Sequence, residues 1–238
     1  MKIKLTVLYV LSFFSLVFLV HELHDWAHVL VARALCGCWG TRAFDAWTPC
    51  LYCRASSREL VLSWVAGPLV NYIFIWTGWL FMDPQLELDR RCLGFSLVFA
   101  ALPFPRLLGA LAGGGDETTS LRLFFQHTDG SNAHQVTLAG LLLVGVLTLP
   151  ALQRAFLSLP GGWLKGLVFP AFLLLPGLLD RWLVGHELNK LIVKDMLVED
   201  RLPGTSLVVV AWLFLLLLLC LFTSRSLSTL FEHKDLAL

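Results

Sequence analysis

Charge is what this sequence has least of. Asp, Glu, Lys and Arg make up 15% of the 238 residues, and 18 basic against 17 acidic side chains leave a formal net charge of +1. A chain so balanced has no basic surface to offer a phosphate backbone and no block of like charge to form a tail, so nucleic-acid binding is set aside. Internal repeats and low-complexity segments are missing too. So is a small-x-small cleavage site after the apolar run that follows Met1-Lys2-Ile3-Lys4 and reaches Val20. That run is therefore read as a retained membrane helix; the apolar pattern resumes from Val29 to Leu35, and cleavage would discard part of one segment.

Apolar side chains fill the space that charge leaves. The hydrophobic share is 57% and the mean hydropathy +0.75, too apolar for a soluble domain. The expectation is an all-α, polytopic membrane protein with the lipid bilayer as its first partner. Apolar runs place about six transmembrane helices near 4–35, 59–82, 92–112, 135–157, 162–184 and 205–223, with Pro103 and Pro105 breaking the third. Gly37 and Gly40 end the first, leaving its histidines in the half nearer the first loop.

Within that helix, His21-Glu22-Leu23-His24-Asp25-Trp26-Ala27-His28 sets three histidines and two carboxylates in apolar surroundings. Ionisable groups at membrane depth are costly and are usually retained for ion, proton or metal chemistry. At about 100° per residue His24 and His28 share a face one turn apart, a spacing that lets two imidazoles reach one metal ion, and His21 sits on nearly the same stripe. The zincin pattern H-E-x-x-H uses this geometry, with the carboxylate after the first His as general base. Here Asp25 holds that place, and Glu22 belongs to an overlapping register whose second His is replaced by Asp.

His24-Asp25-Trp26-Ala27-His28-Val29-Leu30-Val31-Ala32-Arg33 resembles the H-E-x-x-H-x-x-x-A-R motif of the site-2 protease family of intramembrane metallopeptidases at every named position but Asp25. Gly67-Pro68-Leu69-Val70-Asn71 is similar to the family's G-P-x-x-N segment. Leu102-Pro103-Phe104-Pro105, Asp116 and Leu121-Arg122 resemble its late motif, without the leading Asn, with a longer gap and with Glu117 where Gly is expected. The resemblance implies a catalytic Zn2+ held by His24, His28 and Asp116, with Asp25 or Glu22 as base and Asn71 near substrate or developing oxyanion charge. Asp129, in His127-Thr128-Asp129-Gly130, competes with Asp116 as third ligand. Residues 1–126 would form the metallopeptidase-like core of three helices plus a Cys-rich loop at 36–57, and residues 127–238 would add three further transmembrane helices.

That loop spaces Cys36, Cys38, Cys50 and Cys53 as C-x-C and C-x-x-C, which suits a second, structural Zn2+ or two disulfides. A reducing cytosol would favour metal or free thiols over disulfides. Lys2 and Lys4 argue for a cytoplasmic N-terminus, whereas Arg33, Arg42, Arg54 and Arg58 pull the first loop to that side. The resemblance puts the active site nearer the cytosolic face and so the loop in the cytosol. His186-Glu187-Leu188-Asn189-Lys190 starts like a zincin motif but has Lys where the second His belongs, and Asp180-Arg181 reads as a local ion pair.

The expected activity is zinc-dependent hydrolysis of peptide bonds in membrane-embedded or membrane-tethered polypeptides. A catalytically inactive homologue that binds transmembrane segments of partner proteins is the first alternative, because Asp25 is about 1.5 Å shorter in reach than Glu and misplacement near 1 Å costs on the order of a hundredfold in rate. A divalent-metal carrier or sensor using His21, His24, His28 and the cysteines is the second. It is weakened by helices four and six, which offer little polar path.

Overall fold

A computed structural model describes residues 2–125, 133–190 and 205–232. The architecture is all-α, with six helical segments long and apolar enough to cross a membrane, at Val7–Cys36, Ser57–Phe81, Leu88–Leu111, Ala133–Ser158, Trp163–Leu188 and Leu207–Thr229. The chain is thus a multi-pass membrane protein. Its many exposed leucines, valines and phenylalanines, such as Leu221 and Phe222 on the last span, are lipid-facing surface.

Helix α1 (Val7–Cys36) starts where the Thr6 hydroxyl accepts the Tyr9 N–H at 3.1 Å. It stops where Gly37 turns left-handed at φ 74° and donates to the Arg33 carbonyl. Helix α2 (Ser57–Phe81) begins with a reciprocal capping box between Ser56 and Glu59. The third span is two helices, α3 (Leu88–Ala100) and α4 (Pro103–Leu111), separated by Leu102 in the left-handed region at φ 55°. Pro103 dictates the break, since it cannot donate a helical hydrogen bond yet suits a first turn. Short α5 (Gly115–Phe125) follows, then α6 (Ala133–Ser158), α7 (Trp163–Trp182) with a π turn at Leu183–Leu188, and α8 (Leu207–Thr223) with a 3-10 turn at Ser224–Thr229. Four two-residue strands, absent from the sequence reading, make two ladders. β1 (Lys2–Ile3) pairs antiparallel with β4 (Phe231–Glu232), and β2 (Thr41–Arg42) with β3 (Trp47–Thr48).

Helix α1 packs against α2, α3, α7 and α8. Beneath the site, Phe13, Phe95, Phe99 and Phe172 interlock, with ring centroids 5.1 Å apart for Phe13–Phe172 and Phe95–Phe172. Where α2 crosses α3, Gly78 and Gly94 let the backbones meet; a Cβ on either would come within 2.6 Å of the other's carbonyl oxygen. The hydrophobic core draws on helices from both sides of residue 126.

The cysteine loop corrects the expectation of a second zinc. Cys36 is bonded to Cys53 and Cys38 to Cys50, with Cα atoms 4.6 and 6.1 Å apart, so the four sulfurs are consumed in two nested disulfides and none remains as a thiolate ligand. The nesting follows from the β2–β3 hairpin, which folds the loop back on itself and brings its two ends together at the C-terminus of α1.

Candidate metal centre

One turn of α1 presents His24 and His28 to the N-terminal turn of α5, where Gly115, at φ 82°, delivers Asp116. The two Nε2 atoms lie 3.0 Å apart, and Asp116 Oδ2 is 3.1 Å from that of His24 and 3.7 Å from that of His28. These are the three ligand atoms of the cluster His24, His28 and Asp116 that brings metal-binding side chains together among the described residues. Atoms about 2.0–2.1 Å from a tetrahedral zinc sit roughly 3.3–3.4 Å from one another, so the donor set fits the ion with shifts of a few tenths of an ångström. Asp129 lies outside the described residues.

The histidine tautomers decide whether those nitrogens carry lone pairs. His28 Nδ1 is 2.7 Å from the Ser63 carbonyl oxygen, which can only accept. The ring proton therefore sits on Nδ1 and Nε2 is free for a cation. His24 Nδ1 is 2.8 Å from Asn71 Oδ1, and Asn71 uses its Nδ2 on the Ala101 carbonyl at 2.9 Å, which fixes the oxygen toward the ring. Arg106 Nη2 stands 2.8 Å from the same nitrogen and favours the other tautomer. A cation bound at Nε2 would settle that competition in favour of Asn71. With both Nε2 atoms unprotonated, two imidazole lone pairs and a carboxylate oxygen would converge on one point, the donor set that suits a cation.

Close approach of α2 makes room for the rings. Gly67 is buried against them, and a Cβ there would overlap His28 Nε2 and come within 2.7 Å of His24 Cε1. Above, Trp47 of β3 stacks on His28 with centroids 5.0 Å apart and planes 15° apart.

The site opens into a cavity of about 430 Å³, lined by His24, His28 and Asp116 together with Asp25, His21 and Asn71. Asp25 Oδ2 lies 3.6 Å from both His21 Nε2 and Arg42 Nη2. His21 is anchored from α7, where Asp180 receives its Nδ1 at 2.8 and 2.9 Å. Glu22 is buried against the Arg42 guanidinium and does not line the cavity. At the rim Asp45 is half exposed, with its Oδ1 3.9 Å from His21 Nε2. Partial burial raises its carboxyl above the ordinary value; His21 offsets this, and Asp25 and Asp180 add to it.

Several contributors escape a reading of sequence. Asp180 looks like half of a local pair with Arg181, yet its partner is 159 residues away. Arg106, which lines the cavity, is held by Glu117 at 2.7 Å, and Glu117 also accepts the Tyr72 hydroxyl at 2.7 Å. The Glu117 that departs from the expected Gly is the signal that could have found this cluster. His186 pairs with exposed Glu187, which also takes Lys190, and is no part of the cavity. Comparison with protein-family models, with curated proteins and with solved structures found no match.

Proposed function

We propose that the chain is an intramembrane zinc metallopeptidase of the site-2 protease type, acting on membrane-embedded or membrane-tethered polypeptides. The observation that carries this reading is the convergence of His24, His28 and Asp116 on one point inside a cavity that also holds Asp25. Zinc bound there would polarise a carbonyl and lower the pKa of a coordinated water to near 7. The protein's own residues do the rest. Ser63 and Asn71 orient the two imidazoles, Asp25 accepts the proton of the attacking water and returns it to the leaving amine, and His21, backed by Asp180, keeps Asp25 turned into the cavity. Trp47 and Trp64 wall the cavity with apolar surface, excluding bulk water from the reacting bond.

The inactive-homologue reading is favoured by the company Asp25 keeps, since His21 and Arg42 both compete with water for its Oδ2. One experiment separates the two. Zinc per chain is measured on detergent-purified wild type and on a His24→Ala, His28→Ala double variant, alongside hydrolysis of fluorescently labelled casein by wild type and Asp25→Asn. The peptidase reading expects one zinc that the double variant lacks, and cleavage that falls at least a hundredfold in Asp25→Asn. Zinc without cleavage leaves the helix-binding homologue; zinc unaffected by the histidines removes both the site and the reading.

A further inference from the structure

The cysteines divide by membrane face. Helix α1 runs from the end where β1 pairs with β4 to the end that carries both disulfides. Helix α8 makes the opposite journey, starting beside the bridge between Arg42 and Thr205 and finishing in the turn that leads to β4. The two free thiols sit toward the end that holds β1 and β4. Cys92 accepts the Phe231 N–H at 3.2 Å, and Cys220 occupies the last turn of α8. Every described disulfide is thus on the loop face and every described free thiol toward the terminal face. Disulfides persist in oxidising compartments and thiols in reducing ones, so the split marks an orientation. Lys2 and Lys4 on the terminal side agree with it. Of the four arginines that pull the loop the other way, Arg42 is neutralised in a buried pair with Glu22, while Arg33, Arg54 and Arg58 keep their charge and the disulfides outweigh them.

The loop between the disulfides is also the roof of the cavity, because Asp45, Ala46 and Trp47 line it. Along α1, the metal-binding histidines are about 12–18 Å from the loop end of a helix about 45 Å long. From these placements we infer that the cavity faces the oxidising, non-cytosolic side of the membrane, with both termini in the cytosol. Resting on the peptidase reading, the substrates are membrane polypeptides that present the non-cytosolic end of a membrane segment. This reverses the side implied by the family resemblance.

The test uses the full wild-type chain in the inner membrane of a bacterial host, carrying a C-terminal green fluorescent reporter that folds only in the cytosol. Spheroplasts are treated with a membrane-impermeant polyethylene glycol maleimide, with and without an impermeant phosphine reductant. Expected are a fluorescent reporter, no labelling of the loop before reduction, and four added mass steps after it, from Cys36, Cys38, Cys50 and Cys53. A dark reporter, loop thiols that label without reductant or after chelation of zinc, or steps that arise only in inside-out vesicles would overturn the orientation. Casein hydrolysis is measured separately on purified protein. Expected labelling without hydrolysis leaves the orientation standing and removes the substrate assignment; hydrolysis with reversed labelling does the opposite.

Discussion

A glycine and an amide carry the tightest demands at the centre, although neither is among the proposed metal ligands. Glycine is the only residue that position 67 admits between α2 and the paired imidazoles, since any Cβ there meets His28 Nε2. Gly67→Ala should therefore displace His28 from Asp116 and lose most of the bound zinc while leaving helix content unchanged, checked by metal analysis beside far-UV circular dichroism. Alanine favours a helix by up to about 1 kcal/mol over glycine, so a loss of metal without loss of helix would isolate the steric effect. Asn71 acts through the proton on His24. With Asn71→Ala, Arg106 faces His24 Nδ1 without a competing acceptor and the tautomer that closes Nε2 to metal gains ground. Zinc affinity measured by competition with a chelating dye should fall by about 10–100-fold, the usual effect of removing such a partner.

At the scale of elements, the loop of residues 37–56 is fastened to α1 by chemistry of two kinds, the nested disulfides and the buried Arg42–Glu22 pair. Breaking the inner bridge with a Cys38→Ser, Cys50→Ser variant should cost about 2–3 kcal/mol, roughly 5–10 °C in melting temperature by scanning fluorimetry. Arg42 and the outer bridge still hold the roof, so zinc per chain should not change. How far such elements could be read from sequence depends on the range of the signal. Helix ends announced themselves through Gly37, through Pro103 and through apolar run length, all local. His24 and His28 were legible because a helix makes i and i+4 neighbours. Asp116 came only with the family resemblance, because spacing alone does not say which turn returns to α1. The cysteine pairing stayed open among metal and disulfides, since spacing fixes neither oxidation state nor connectivity. His21–Asp180 was invisible, as is any contact made by two helices that happen to pack.

Across the whole molecule, the division at residue 126 separates motifs without separating structure. Helix α1 carries two of the proposed metal ligands on one face, while other parts of its surface meet residues from beyond the division. Phe13 meets Phe172 at 5.1 Å, Phe18 meets Trp212 at 5.6 Å, and His21 is held by Asp180. Strand β1, ahead of α1, also pairs with β4, which follows α8. A fragment of residues 1–126 would keep all three proposed ligands yet expose these faces to lipid and strip His21 of Asp180, its hydrogen-bond partner, at membrane depth, where a poorly satisfied ionisable group is costly. The fragment alone should accumulate poorly and bind less than a tenth of the zinc held by the full chain. Co-expression with residues 127–238 as a separate polypeptide should restore binding, because transmembrane helices can associate after insertion. A fragment that holds one zinc unaided would show that α7 and α8 are accessory, and that Asp180 contributes nothing to the order of the site.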